Sequence, residues 1–366
     1  MAKRLSILNG WAILAVVCNH ATNWGYIAMF WWVDRYRPVT APNFDQLGTA
    51  AYYSLAAIQD LTLFCVPAFL FASGFFVAYA ARGEGGITWK MVRARISRLL
   101  WPYLIWSTVM FVDQALQGNV YSPVEYVRRI LTGGALPPYF FVPVLCQFYL
   151  LSRLIVRLAK ERPRLLLGTT ATVQLLSISL LMYLQLNVKD LSDSVFQKVG
   201  WLSIWFAFYF PFGVVAGLRW SSVHALMVRF KWVWVVMTIV LGIVSVFEDS
   251  WLRQVTQTPP SWQATTFSSN IYAMAFLFAF LSLSGSQGRS SQALSWLGAR
   301  SYGIYLVHFP LLSLIARFIR RVIPALLSQQ SLLVFVLAVA VVGIVTMAME
   351  AIVRSPVRNA HRYLFG

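Results

Sequence analysis

Acidic side chains are scarce in this 366-residue chain. Twelve Asp and Glu stand against 30 Lys and Arg, and charged residues of either sign make up only 11% of the sequence. A soluble globular domain carries about a quarter, so that class is excluded. Cysteine occurs three times. Cys18, Cys65 and Cys146 are odd in number, each lies inside an apolar run, and their spacing is not that of a metal site. They read as small buried hydrophobes, and no metal is expected. A Walker loop, GxSxG and HExxH are all absent, which removes the familiar soluble enzyme classes. Zinc-finger, RNA-binding and basic-zipper patterns are missing too, so the net charge of +18 does not point to nucleic acid.

What fills the chain instead is apolar. Hydrophobic residues make up 59%, among them 15 Trp, 16 Tyr and 26 Phe. Such a chain needs lipid as its solvent, and its aromatic rings suit the membrane boundary. Stretches near 7–29, 52–80, 99–116, 139–158, 165–186, 201–218, 232–248, 268–285, 302–318 and 331–353 are long and apolar enough to predict spans. The expectation is an all-α polytopic membrane protein of about ten transmembrane helices, forming a single membrane-embedded domain over 1–366. The second stretch is long and is expected to tilt or break around Pro67. The opening MAKRLSILNGW lacks a small-residue cleavage site before its polar break and reads as the start of the first span.

Lys and Arg concentrate in alternate loops, which puts both termini on the cytoplasmic side of a multi-pass inner or plasma membrane protein. The other side is expected to hold Asp34, Asp45, Glu125, Asp190, Asp193, Glu248 and Asp249. Trp31, Trp32, Tyr36, Trp251 and Trp262 fall there as well, read as boundary aromatics.

Three stretches carry candidate chemistry. Residues 11–26 read WAILAVVCNHATNWGY, an oily helix interrupted by Asn19, His20 and Asn23. Asn9 and His20 are eleven residues apart, so they share a face about 16 Å apart along the axis. A polar stripe on such a helix faces the bundle interior, because facing lipid is costly. A helix–helix hydrogen bond explains it as well as catalysis does. The second stretch, GITWKMVRARISRLLWPYLIW, sets Lys90, Arg93, Arg95 and Arg98 ahead of a span. Arg95 and Arg98 share a face and suit phosphate, though topology anchoring alone also accounts for them. The third, SYGIYLVHFPLL, aligns Tyr302, Tyr305 and His308. Asp60, expected near the external face, and Gln147 are further polar groups in or near spans. Glu350 is expected to pair with an arginine such as Arg354, four residues on.

Taken in order, LNGWAILAVVCNH (8–20), FCVPAFLFASGFFVAY (64–79), RISRLLWPYLIW (95–106), PYFFVPVLCQFYLL (138–151), FYFPFGVVAG (208–217) and WLGARSYGIYLVHFPLL (296–312) resemble the acyltransferase-3 family of membrane acyltransferases. The resemblance implies a ten-helix core that moves an acyl group, commonly acetyl, from cytoplasmic acyl-CoA to a hydroxyl of a glycan or small acceptor. It implies that His20 is catalytic and that the family's late tyrosine and histidine fall on Tyr305 and His308; Asn9 and Asp60 are further catalytic candidates read from the residues themselves. Arg95 and Arg98 are implied in donor binding, with Lys90, Arg93, Ser73 and Gln147 beside them. The chain departs from the family at Asn9, where an arginine is usual. The implied partners are acyl-CoA, a hydroxylated acceptor and the bilayer. A transporter or flippase, or a non-catalytic member of the same fold, are the competing classes.

Overall fold

A computed structural model describes residues 1–83, 86–187, 199–256, 266–283 and 288–366. Asp190, Asp193 and Trp262 therefore lie outside the described residues. The elements are helices: α1 (Ala2–Tyr26), α2 (Ala50–Leu61), α3 (Cys65–Ala80), α4 (Trp89–Leu116), α5 (Pro123–Thr132), α6 (Phe141–Glu161) and α7 (Pro163–Asn187), then α8 (Tyr209–Leu218), α9 (Trp220–Arg229), α10 (Lys231–Thr256), α11 (Phe267–Ser282), α12 (Arg289–Ala299), α13 (Ser301–Val322), α14 (Gln330–Arg354) and α15 (His361–Leu364). No strand occurs among the described residues.

Seven helical segments are long and apolar enough to cross a bilayer: Ala2–Trp31, Ala50–Ala80, Pro137–Glu161, Pro163–Asn187, Lys231–Val255, Ser301–Val322 and Gln330–Arg354. The shorter apolar helices Tyr209–Leu218 and Phe267–Ser282 occupy two more of the predicted stretches. The remaining stretch, 99–116, is the apolar part of α4, whose first turns carry Lys90, Arg93, Arg95 and Arg98. Large apolar side chains stand uncovered on the spans, among them Leu176 and Leu180 on α7, Val236 and Ile239 on α10 and Phe335 and Val339 on α14. Apolar faces of that extent belong against acyl chains. The protein is an all-α polytopic membrane protein.

The second span breaks, as expected, around Pro67, at Thr62–Phe64 just ahead of it. Proline lacks the N–H that would bond four residues back, and its ring crowds that carbonyl, so the chain departs from the helix upstream of the proline. Glu248 and Asp249 are not loop residues but lie within α10. The helix continues past them because Asp249 pairs with Arg253 one turn on, neutralising a charge that would otherwise end the span. Glu350 bonds Arg300 rather than Arg354, since the α12–α13 junction brings a guanidinium to it.

The described chain divides into two compact units, one of Met1–Cys65, Trp232–Phe280 and Ser284–Ala351, the other of Val66–Lys231, Leu281–Leu283 and Ile352–Gly366. In the first, α1 packs on α2, α12 and α13. A Cβ on Gly10 would strike the Leu294 carbonyl, and one on Gly298 the Ser6 carbonyl. These two helices thus touch backbone to backbone, the close approach that small residues permit in membranes. In the second unit α6 packs on α7 and α8. There Gly74 and Gly213 similarly bring α3 and α8 into backbone contact at Phe210 and Phe71.

Gly298→Val is expected to destabilise the protein by about 1–3 kcal/mol, because the obstructing atom is backbone. Gly343→Ala, on a helix face with nothing within 4 Å, should be neutral or stabilising by about 0.5–1 kcal/mol. Thermal unfolding in detergent distinguishes the two.

Candidate functional site

The polar stripe of α1 meets the broken end of α2. Where α2 stops at Leu61, its last carbonyls lose their helical partners, and lipid supplies none. Asn19 Nδ2 donates to the Gln59 carbonyl at 3.0 Å and to Thr62 Oγ1 at 2.9 Å. The Tyr272 hydroxyl donates to the Leu61 carbonyl at 2.8 Å. The Gln59 side chain then extends the network. Its amide donates to Asn23 Oδ1 at 3.4 Å, and its oxygen accepts from Arg253 Nη2 at 3.4 Å. Arg253 in turn holds Asp249 at 2.5 Å. Gln59 is wholly buried, and Asp249 and Arg253 are nearly so.

His20 follows Asn19 and lies against α13. Its ring centroid is 5.2 Å from that of His308, with Phe309 edge-on at 5.5 Å. His308 is completely buried. Its Nδ1 is 2.5 Å from the Tyr305 carbonyl. A carbonyl only accepts, so this nitrogen carries the proton and Nε2 of the neutral ring keeps a lone pair. That Nε2 has no protein partner, and neither has His20 Nδ1. Two imidazoles thus stand side by side, one with its tautomer fixed and both with a free nitrogen. Asn9, three turns below on α1, also has a buried oxygen without a partner.

Asp60 does not sit at the outer end of its span. It is the eleventh residue of α2, beside Gln59, and therefore at the level of Asn19. It is buried, and its Oδ2 meets no donor. Tyr36, read as a boundary aromatic, is instead a bracket. Its hydroxyl donates to the Ala28 carbonyl at 3.0 Å and accepts from Gln330 at 3.2 Å.

The donor candidates lie in the other unit. Arg95 Nη2 donates to the Phe76 carbonyl at 3.2 Å, and its guanidinium sits 5.7 Å over the Tyr149 ring. The Tyr149 hydroxyl is hydrogen-bonded by Ser73 and by Arg95, so α3, α4 and α6 each contribute one member of a polar cluster. Lys90, Arg93 and Arg98 are exposed, and none has an ion-pair partner among the described residues. The Gln147 amide is occupied differently. It donates to Pro143 and Trp201 carbonyls at 3.2 and 2.7 Å and accepts from the Ser203 N–H at 3.0 Å, which commits it to holding backbone.

The profile of the acyltransferase-domain family, Acyl_transf_3, matches residues 3–350, nearly the whole chain. The chain belongs to this family. No curated protein and no solved structure matches it. Membership makes an acyl donor and an acceptor necessary, handled by a membrane-embedded transferase.

In this acyltransferase the first unit groups His20 with His308, and His308 with Tyr305; separately it sets Asp60 near three residues that sequence reasoning passed over: Gln59, Tyr272 and Arg253. Arg253 was findable, because Asp249 and Arg253 stand four apart just past the apolar run 232–248. Tyr149, which joins Ser73 to Arg95, gave no signal, being one of 16 tyrosines.

Asn19 donates to two acceptors, so a replacement that cannot donate loses both bonds between α1 and the end of α2. Asn19→Asp is expected to destabilise the protein by about 1–3 kcal/mol. Asn19→Gln, which keeps the donors, should lose less. Denaturant unfolding of the detergent-solubilised protein ranks them.

Proposed function

We propose that the protein transfers an acyl group, acetyl in the simplest case, from cytoplasmic acyl-CoA to a hydroxyl of a glycan or related small acceptor, with His20 as general base. The observation that carries this reading is the His20–His308 pair, two buried imidazoles with unpartnered nitrogens on the helices that hold the family-like segments LNGWAILAVVCNH and SYGIYLVHFPLL.

Coenzyme A presents several phosphate charges on its nucleotide and an uncharged pantetheine arm. Arg95 and Arg98, with Arg93 and Lys90 behind them, hold the phosphates. Arginine suits this because its guanidinium fork bonds phosphate oxygens in pairs. The contacts of Arg95 with Phe76 and Tyr149 fix its side chain in advance, and Ser73 extends the cluster.

The uncharged imidazole of His20 takes the proton of the acceptor hydroxyl as the oxygen bonds to the acyl carbon. The carbon–sulfur bond then breaks, and the same proton passes to the departing sulfur. His308 acts as a positioning residue. With Nδ1 committed to Tyr305, its Nε2 keeps an unshared lone pair beside the His20 ring, so His308 shapes the surroundings of the base without bonding to it. Asn9 stands where the family usually has a cation, so it supplies a hydrogen-bonding group and no charge to this path.

His20→Ala is expected to lower acetyl transfer by about 10²–10⁴-fold while leaving folded protein that still binds radiolabelled acetyl-CoA. Retained turnover would reject the assignment. Arg95→Ala and Arg98→Ala should each weaken acetyl-CoA binding by about tenfold, read by saturation binding of the purified protein. A transporter of unrelated solutes would show no saturable acetyl-CoA binding at all.

A further inference from the structure

The His20–His308 pair lies partway along the contact between α1 and α13, and a second group of side chains lies further along it. Trp24 is one turn beyond His20 on α1, on the same face. At Ile27–Trp31 the helix widens into a π-helical turn, and the Trp32 N–H bonds the Ile27 carbonyl at 2.9 Å as the chain leaves. Such turns often mark functional sites. The Trp32 ring lies 5.4 Å from that of Trp24. The Arg320 guanidinium, from the last turn of α13, sits 4.9 Å over the Trp32 ring. His20, Trp24, Trp32 and Arg320 therefore form a row that leads away from the end of α1 carrying Lys3 and Arg4. Its first step is about 6 Å along the helix axis, and the next two are the ring contacts.

The far end of that row is a cation without a counter-ion. Arg320 Nε is buried and has no partner, and the side chain makes no hydrogen bond or ion pair among the described residues. The two acids on the segment after Trp32 are taken, Asp34 by Arg35 at 3.8 Å and Asp45 by Arg37 at 2.6 Å. Arg317 and Arg321, on either side of Arg320, add positive charge. The dipole of α13 favours a cation in its last turn, which accounts for the charge alone. A guanidinium turned over an indole has its charge stabilised while its N–H donors stay unfilled. Buried polar atoms are almost always paired, and the exceptions call for an absent partner. A fork of parallel N–H groups matches a carboxylate or a phosphate. Trp24 is half-buried and offers an apolar wall between that fork and the imidazole, suited to the C–H face of a sugar ring.

Resting on the acyl-transfer reading, we propose that Arg320 is the subsite for an acidic group of the acceptor, a carboxylate or phosphate on a sugar unit beyond the one that His20 deprotonates. Trp32 is its positioning residue, holding the guanidinium, and Trp24 lines the path from there to His20. The substrate class that follows is an acidic glycan, acylated at a distance from its charge.

The test uses the full-length protein in detergent. Saturation-transfer NMR titrations with methyl β-glucuronide and its neutral counterpart methyl β-glucopyranoside read the subsite. The wild type is expected to bind the glucuronide about tenfold more tightly, a comparison that needs no variant. Arg320→Gln should abolish the preference, and Arg320→Lys, which keeps the charge without the fork, should retain part of it. Equal binding of the two sugars by the wild type, no binding of either, or a preference indifferent to Arg320→Gln would overturn the subsite. Native mass spectrometry separates the acceptor from a lipid as source of the anion. Phosphatidylglycerol retained by the wild type and lost from Arg320→Gln would make a headgroup the occupant and overturn the assignment, whereas equal retention supports it. Saturable binding of radiolabelled acetyl-CoA reads the donor side and should be unchanged in Arg320→Gln. Its absence from the wild type with the glucuronide preference intact would overturn the acyl-CoA reading alone, and the reverse pattern would overturn the subsite alone.

Discussion

Inside a bilayer a helix cannot end without its carbonyls finding donors from elsewhere in the protein. The break at Thr62–Phe64 imposes that demand on this structure, and much of the first unit answers it. Asn19 and Tyr272 cap the exposed carbonyls of α2, one from α1 and the other from α11. Pro67 sets where the break occurs, the break sets which carbonyls are orphaned, and those carbonyls account for an asparagine in the middle of an apolar helix. The amide that satisfies the backbone also fixes the rotational setting of α1, and with it the direction in which the next residue, His20, is held.

From that capped break the polar residues form a chain of dependence rather than a scattered set. Gln59 joins Asn23 on one side and Arg253 on the other, and Arg253 allows Asp249 to be ionic while buried. Ion pairs in such surroundings contribute little net stability, but removing one partner is costly. Their value here is geometric, since each fixes the orientation of another group. The same logic holds for His308, where a single backbone carbonyl selects the tautomer. In the second unit Tyr149 plays the corresponding part, gathering Ser73 and Arg95 from separate helices.

Much of this was legible in the sequence, and the limits have physical causes. Hydropathy located the helices because lipid admits few alternatives, and the segments around His20, Arg95 and His308 carried the family likeness. Periodicity put Asn9, His20 and Asn23 on one face but could not say what that face meets. Partners such as Gln59 for Asn19, or Tyr149 for Arg95, are 40 and 54 residues away in the chain, and no local pattern encodes them. Glu248 and Asp249 misled because an acidic pair normally marks the end of a span, and only Arg253, one turn further, reverses that inference. Gln147 looked like a ligand-binding amide and turned out to be bound on all sides by backbone.

The contact of Gly10 and Gly298 with the facing backbone has a consequence for how the reaction is organised. Helices separated by side chains can slide as those side chains change rotamer. Helices meshed carbonyl against Cα cannot, because any axial shift forces backbone into backbone. The imidazole on α1 is therefore stationary with respect to α12, like a tool clamped in a vice. Motion during a catalytic cycle has to reside in the substrates and in the elements that admit them.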